Sequence, residues 1–210
     1  MVPAHAPFSE QAMPNTLLSR IPRQQLDPRW QKAWDTLNGL TGSATFVEVF
    51  AQAPEVLDFV LDKFYGRLFF GGAVPQRYKQ LARLKLSLLH GCRTCNRQNV
   101  PGALDAGFTP EHIEALSMGN DAPFTAAERA VIAYAAAVSL TNMEGRLSPG
   151  LHAQLRDHFS DAQILELGTV MAVICGMAKL SFVLDLVDRE DYCPFTAPAG
   201  SAGTAAAAVA

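Results

Sequence analysis

The sequence predicts an all-α fold of about eight or nine helices. Three observations support this prediction: apolar residues recur with a helical period through most of the chain, helix caps precede the apolar stretches, and no segment alternates like a strand. The chain has 210 residues, of which 49% are hydrophobic and 18% are charged, so it is long enough to bury a sizeable core. We therefore expect one helical domain with short connections.

The two ends of the chain differ in composition from the part between them. Residues 1–25 are Pro-rich and aperiodic, and residues 193–210 finish in an Ala/Gly/Pro/Ser-rich stretch of low complexity. Such compositions do not bury enough apolar surface to form a core. We predict a flexible N-terminal segment at 1–25, a helical domain at 26–192 and a low-complexity C-terminal tail at 193–210.

Four amphipathic helices are predicted in the first half of the domain. The first begins at the Asp27-Pro28 cap and ends before Gly39. Apolar stripes at 46–53 and 57–68 predict the second and third, and the residues 75–90 continue the same helical period. These apolar faces share a common core.

Two cysteines three residues apart follow the fourth helix. Because Gly91 interrupts the period, Cys92 and Cys95 are predicted to open a new helix. Residues three apart share one helix face, with Cβ atoms roughly 5–6 Å apart, so the sulfurs can join in a disulfide. A helix N-terminus also stabilises a thiolate. His90 could exchange a proton with Cys92 if the turn folds it back, although a helix-end histidine is equally explained by the helix dipole.

Four further helices are predicted downstream of the cysteines. Their starts are the pairs Thr109-Pro110 and Ser148-Pro149 and the capping boxes Thr125/Glu128 and Ser160/Gln163. The last of them covers the apolar run 164–186, whose hydrophobicity on all sides predicts a central helix. Its most apolar part, 167–178, is shorter than the roughly 20 residues that a bilayer span needs.

Charge and motifs exclude several classes of function. The formal net charge is −3 and no cluster of Lys and Arg appears, so neither nucleic acid nor a membrane is an expected partner. The sequence contains no GxGxxG, Walker P-loop, GxSxG or HExxH motif. The first ten residues lack a basic start and an apolar stretch of signal-peptide length, so we expect a cytoplasmic protein.

The cysteine pair has three interpretations from the residues alone: a redox centre, part of a zinc site, or a structural feature. Zinc needs four ligands, and a second CxxC is missing. Cys175 lies in an apolar helix and is expected to be a small buried side chain, whereas Cys193 stands alone beside the tail. We predict no metal.

Several motifs together resemble a known family. They are QLARLKLSLLHGCRTCNRQN, ALDAGFTPEHIEAL and FTAAERAVIAYAAAVSLT. The chain, from roughly Phe46 to Leu186, resembles the carboxymuconolactone decarboxylase family on its alkylhydroperoxidase D-like (AhpD-like) side. The resemblance implies an all-helical homo-oligomer without an organic cofactor. It also implies that Cys95 attacks a peroxide and that Cys92 resolves the sulfenic acid as a disulfide.

The sequence departs from the family pattern at the proton relay. The family's redox motif carries a glutamate twelve positions before the first cysteine and a histidine four positions after the second, where this chain has Gln80 and Asn99. Neither amide takes up a proton near neutral pH, which suggests a changed mechanism. Pro101 is a further departure, and we expect it to kink or end the cysteine helix near Asn99.

We therefore expect an enzyme, a thiol-dependent oxidoreductase of the peroxiredoxin type that reduces peroxides or exchanges disulfides. Its expected partners are a small peroxide or other small substrate, a dithiol or thioredoxin-like reductant, and further copies of the chain. Two alternatives remain open. The lost relay at Gln80 and Asn99 favours a non-redox lyase or decarboxylase acting on a small carboxylated substrate, and a residual cysteine pair would fit a catalytically silent oligomeric binding protein.

Overall fold

The structure, a computed structural model, describes residues 18–195. Nine α-helices occur in this range, and its only β-type pairing is a single bridge between Cys92 and Arg189. The helices are α1 (Pro28–Thr41), α2 (Thr45–Phe50), α3 (Pro54–Asp58), α4 (Gln76–His90), α5 (Arg93–Asp105), α6 (Pro110–Ser117), α7 (Ala126–Val138), α8 (Pro149–Arg156) and α9 (Asp161–Val183). A π-helical segment, Phe59–Phe69, continues α3 without a break. The predicted all-α fold is confirmed.

Local capping signals place most of the helix starts where the sequence predicts them. The Asp27 side chain accepts the Arg29 N–H at the start of α1, and capping boxes at Thr125 and Ser160 open α7 and α9. The predicted end of α1 is wrong. The helix passes Gly39 and ends at Gly42, whose φ of 77° supplies the left-handed turn that stops it.

α4 is the helix at the centre of the fold, and it packs against α5, α7 and α9. The prediction that α9 is central is only half right, because Leu165 on its outer face is 70% exposed and Val183 is 60% exposed. α9 has 23 residues, so by length and composition the whole helix could cross a membrane, although its most apolar part, 167–178, is shorter than a span needs. A third of its most apolar stretch is buried in the protein, and Glu166 pairs with Lys79 of α4.

α5 continues through Pro101 to Asp105, so the helix does not end near Asn99, one of the two outcomes that we predicted. Proline removes one backbone hydrogen bond of the helix. Asn99 and Ala103, on either side of the proline, are buried, and α5 lies along α4 there. Tertiary packing therefore holds the helix together across the missing bond.

Parts of both predicted tails, residues 18–25 and 193–195, are described and contact the helical domain. Residues 18–25 contact the domain, since the Ile21 N–H donates to the Glu48 carbonyl over 2.9 Å and Arg20 pairs with the Glu48 carboxylate. At the other end Cys193 is buried. The remaining parts of the two predicted tails, 1–17 and 196–210, lie outside the described residues.

Candidate active site

The two cysteines of the CxxC motif are joined in a disulfide at the start of α5, with their Cα atoms 5.2 Å apart. Gly91 makes this possible by adopting a φ of 60°, which ends α4 and turns the chain into the next helix. Cys92 is the N-cap of α5, and its Sγ accepts the Cys95 N–H over 3.2 Å. The pair therefore lies at a helix N-terminus, as the spacing predicts.

The two sulfurs have different surroundings. Cys92 is completely buried beneath the segment that follows α9. Two backbone hydrogen bonds join that segment to the start of α5: the Arg93 N–H donates to the Asp188 carbonyl, and the Glu190 N–H donates to the Gly91 carbonyl. Cys95 is only half-buried and lines a cleft. Access to the pair is therefore through Cys95.

The cleft next to Cys95 has a volume of about 1450 Å³ and one polar side. Two helix faces form that side: Gln80, Arg83 and Ser87 of α4, and Cys95, Asn99 and Gly102 of α5. The lining also includes apolar residues: Leu37, Phe46, Phe64, Phe70, Ile174 and Met177. A substrate in this cleft would have both apolar side chains and polar groups available for contact.

The two relay positions implied by the family resemblance do come together at the cleft. Gln80 is 5% exposed and Asn99 is 4% exposed. The Asn99 side-chain amide donates to the Arg83 carbonyl over 3.4 Å, and Gln80 Oε1 is buried without a hydrogen-bond partner. The polar positions of a relay are present, but their amides transfer no proton near neutral pH.

His90 lies outside this cleft, at the buried end of α4. Its Nε2 accepts the Leu140 N–H over 3.1 Å, and burial lowers the pKa of His90 to about 4. The imidazole is therefore neutral near pH 7. It accepts a hydrogen bond from the turn after α7, and within residues 18–195 no hydrogen bond joins it to Cys92, the residue with which we expected it to exchange a proton.

Arg83 is a residue of the cleft that our sequence analysis missed. It is 6% exposed, its guanidinium lies 4.8 Å from the Phe69 ring centre, and it hydrogen-bonds the Tyr65 hydroxyl. Burial lowers the pKa of Arg83 from its usual value. The available sequence signal was the polar stripe of Gln76, Gln80, Arg83 and Ser87, which repeats at helical spacing along α4.

The remaining cysteines lie apart from the pair. Burial raises the pKa of the Cys175 thiol to about 11, and the Cys193 thiol donates to the His90 carbonyl over 3.2 Å. Within residues 18–195 no three His, Cys, Asp or Glu side chains form a group that could hold a metal ion.

Comparisons with known proteins agree with this fold. Among curated proteins none matches the chain. A protein of unknown function from Agrobacterium tumefaciens, suggested to be the antioxidant defence protein AhpD, superposes with a TM-score of 0.56 and 22% identity over 64% of this chain and 91% of that chain. The debrominase Bmp8, as a cysteine-to-alanine variant in complex with 2,3,4-tribromopyrrole, gives a TM-score of 0.65 and 17% identity over 84% of this chain and 93% of that chain.

At such identities these structures show a shared fold and no more. The sequence evidence is more specific, because residues 54–137 match the sequence model of the carboxymuconolactone decarboxylase family. This segment runs from α3 through α7 and includes both sulfurs of the disulfide and the polar side of the cleft. Over residues 54–137 the chain is therefore similar to the carboxymuconolactone decarboxylase family.

Proposed function

We propose that the protein is a thiol-dependent oxidoreductase in which Cys95 and Cys92 cycle between dithiol and disulfide. The observation that carries this proposal is the asymmetry of the pair: Cys95 lines an open cleft, whereas its bonded partner Cys92 is completely buried. A substrate that enters the cleft reaches one sulfur only. The other sulfur is held where it can resolve the product.

The geometry supports a two-step reaction with a peroxide. The Cys95 thiolate attacks one peroxide oxygen, the O–O bond breaks, and an alcohol leaves with a proton from water. The Cys92 thiol then attacks the sulfenic acid, forming the disulfide and releasing water. A dithiol or thioredoxin-like reductant restores both thiols by exchange.

Gln80 and Asn99 change how the thiolate is formed. Their amides orient water or substrate by hydrogen bonds but do not remove the thiol proton. The positive end of α5 and the N–H groups of its first turn are then the main stabilisers of the anion. We expect turnover to rise with pH until the Cys95 thiol is ionised.

The setting of the reaction is also part of the proposal. We propose a cytoplasmic location, where a reductant pool keeps the pair cycling. We also propose a homo-oligomer, supported by the apolar residues Leu165, Leu180 and Val183 that α9 leaves exposed on its outer face.

A second candidate is lyase or decarboxylase chemistry on a small carboxylated substrate. It is favoured by the buried cation of Arg83 in the cleft and by relay positions that do not titrate. The same cleft contains Cys95, however, which favours the thiol reaction. Activity that survives alkylation of both reduced cysteines would support the second candidate.

The proposed function is tested by turnover of cumene hydroperoxide with a dithiol reductant. We expect Cys95→Ser to fall to the uncatalysed background. In a parallel reaction of the pre-reduced protein without reductant, Cys92→Ser should consume about one equivalent of peroxide and stop at the Cys95 sulfenic acid, without forming the disulfide. Cys175→Ala is the matched control, because that thiol is buried elsewhere, and it should turn over like the wild type. Equal rates for the wild type and Cys95→Ser would refute the proposal.

A further inference from the structure

We propose that Arg83 binds the anionic group of the substrate and that the preferred substrate is an apolar hydroperoxide carrying one carboxylate. The choice of a hydroperoxide rests on the proposed function, whereas the anion site rests on Arg83 itself. Three observations support this inference: the missing counter-ion, the chemistry of the walls, and the distance to Cys95.

The guanidinium of Arg83 lacks a counter-ion in the described part of the chain. None of the ion pairs within residues 18–195 includes it, and its Nε is buried without a hydrogen-bond partner. Its neighbours are the Tyr65 hydroxyl and the Phe69 ring, neither of which is a carboxylate. A buried cation without a carboxylate is costly, so it is expected where a ligand brings the missing charge.

Four acidic residues line the cleft: Glu55, Asp58, Asp62 and Asp105. Asp58 pairs with Arg29 over 2.9 Å, and Asp62 pairs with Lys63 over 2.9 Å. Within residues 18–195 none of the four carboxylates forms an ion pair with Arg83. The arginine therefore keeps its full charge for a molecule that enters from solvent.

The walls and the spacing define the shape of that molecule. Arg83 Nη2 and Gln80 Oε1 both lie beside Gly102, at 2.8 and 2.7 Å from the point where a Cβ would stand. Gly102 is seven residues after Cys95 on the same helix face, about 10 Å along α5 at the usual helical rise. Because apolar side chains also line the cleft, it suits an apolar body of that length between a carboxylate and the reacting peroxide.

Binding is tested first without any redox step. Isothermal titration of the disulfide form compares octanoate with octan-1-ol, which share the chain and differ in charge. We expect octanoate to bind the wild type about tenfold tighter or more, as charge-assisted hydrogen bonds predict. Arg83→Met should abolish that preference, and Arg83→Lys, which keeps the charge without the planar fork, should retain part of it.

Arg97→Met is the matched control, since this exposed arginine lies two residues after Cys95 on α5. It should bind both probes like the wild type. A preference for octanoate that survives in Arg83→Met, or the lack of any preference in the wild type, would overturn the anion site. If Arg83→Met does not fold, the same comparison is made with Arg83→Lys, where an unchanged ratio would overturn the site.

The substrate class is tested by kinetics with linoleic acid hydroperoxide and its methyl ester. In the wild type we expect kcat/KM to be about tenfold higher for the acid than for the ester. In Arg83→Met the two values should become equal, because KM for the acid rises while the kinetics of the ester change little. Equal losses of kcat/KM for acid and ester would mean that Arg83 affects the reaction at Cys95 and not the binding of the carboxylate, and this result would overturn the proposal. A failure of the thiol mechanism would instead appear as no turnover of either peroxide while the octanoate preference persists.

Discussion

Two buried cations lie one turn apart on α4 and have opposite environments. Lys79 is fully buried, and its ammonium pairs with Glu166 over 2.6 Å and donates to the carbonyls of Leu68 and Gly71. Arg83 is buried almost as deeply, but within residues 18–195 it forms no ion pair, and the polar side chain that interacts with it there is the Tyr65 phenol. Both charges are removed from water, and only one of them is compensated within the protein.

This difference distinguishes a buried cation that stabilises the fold from one that is available to bind a ligand. Lys79 joins α4 to α9 and to the end of the π-helical segment, so its charge supports the architecture. Arg83 forms no ion pair within residues 18–195, and it lines the same cleft as Cys95. Protein stability alone does not explain an uncompensated buried cation, whereas ligand binding does.

The largest expected effect tests the structural half of this comparison. Lys79→Met leaves the Glu166 carboxylate without its counter-ion, so we expect the free energy of unfolding to fall by about 3–5 kcal/mol. Urea denaturation measures this change. Lys85→Met, on the same helix and in no ion pair of residues 18–195, should change stability by less than about 0.5 kcal/mol. Similar losses for both variants would show that the pair at Lys79 is not structural.

His90 is a third buried base on α4, and unlike Lys79 it is uncharged near neutral pH. Its pKa falls from 6.5 to about 4 through burial, so between these values the unfolded chain binds a proton that the folded protein does not. The contribution of neutral His90 to the free energy of unfolding is complete above pH 6.5 and is lost as the pH falls toward 4. The total loss is about 3 kcal/mol.

The measurement is the free energy of unfolding from pH 7 to 5 in the wild type and in His90→Gln, whose amide can accept the Leu140 N–H. We expect the wild type to lose stability more steeply than the variant. Identical slopes would mean that His90 titrates normally in the folded protein.

The sequence could predict what local chemistry determines. Caps at Asp27, Thr125 and Ser160 and the helical period place the helices, and the spacing of Cys92 and Cys95 predicts a pair that can bond. These signals lie within a few residues of the structure they specify.

The rest depends on contacts between distant segments. Pro101 stays inside α5 because α4 packs beside it. Which side of α9 is exposed depends on which other helices pack against it. Arg83 is one polar residue of a helix until the π-helical segment places Phe69 and Tyr65 against it. Its lack of a carboxylate is visible only in three dimensions.

A smaller effect tests the other half of the comparison. Arg83→Met removes an uncompensated charge, together with one hydrogen bond to Tyr65 and the contact with Phe69. We expect the free energy of unfolding to stay within about 1 kcal/mol of the wild type or to rise, because desolvation relief offsets the lost contacts. A loss as large as that of Lys79→Met in the same urea titration would make Arg83 a structural residue.

The smallest expected effect comes from Gly102→Ala, which changes the anion site without touching a charge. Gly102 lies inside α5, so alanine favours the helix by about 0.5–1 kcal/mol. Its Cβ would stand 2.7 Å from Gln80 Oε1 and 2.8 Å from Arg83 Nη2, so the ends of both side chains must move. We expect thermal stability close to that of the wild type and octanoate binding weakened by severalfold. Because Cys95 lies two helical turns away, turnover of the small neutral cumene hydroperoxide should fall less than octanoate binding, by no more than the shift of the Gln80 amide causes. A parallel loss for both molecules would contradict separate sites for anion and peroxide.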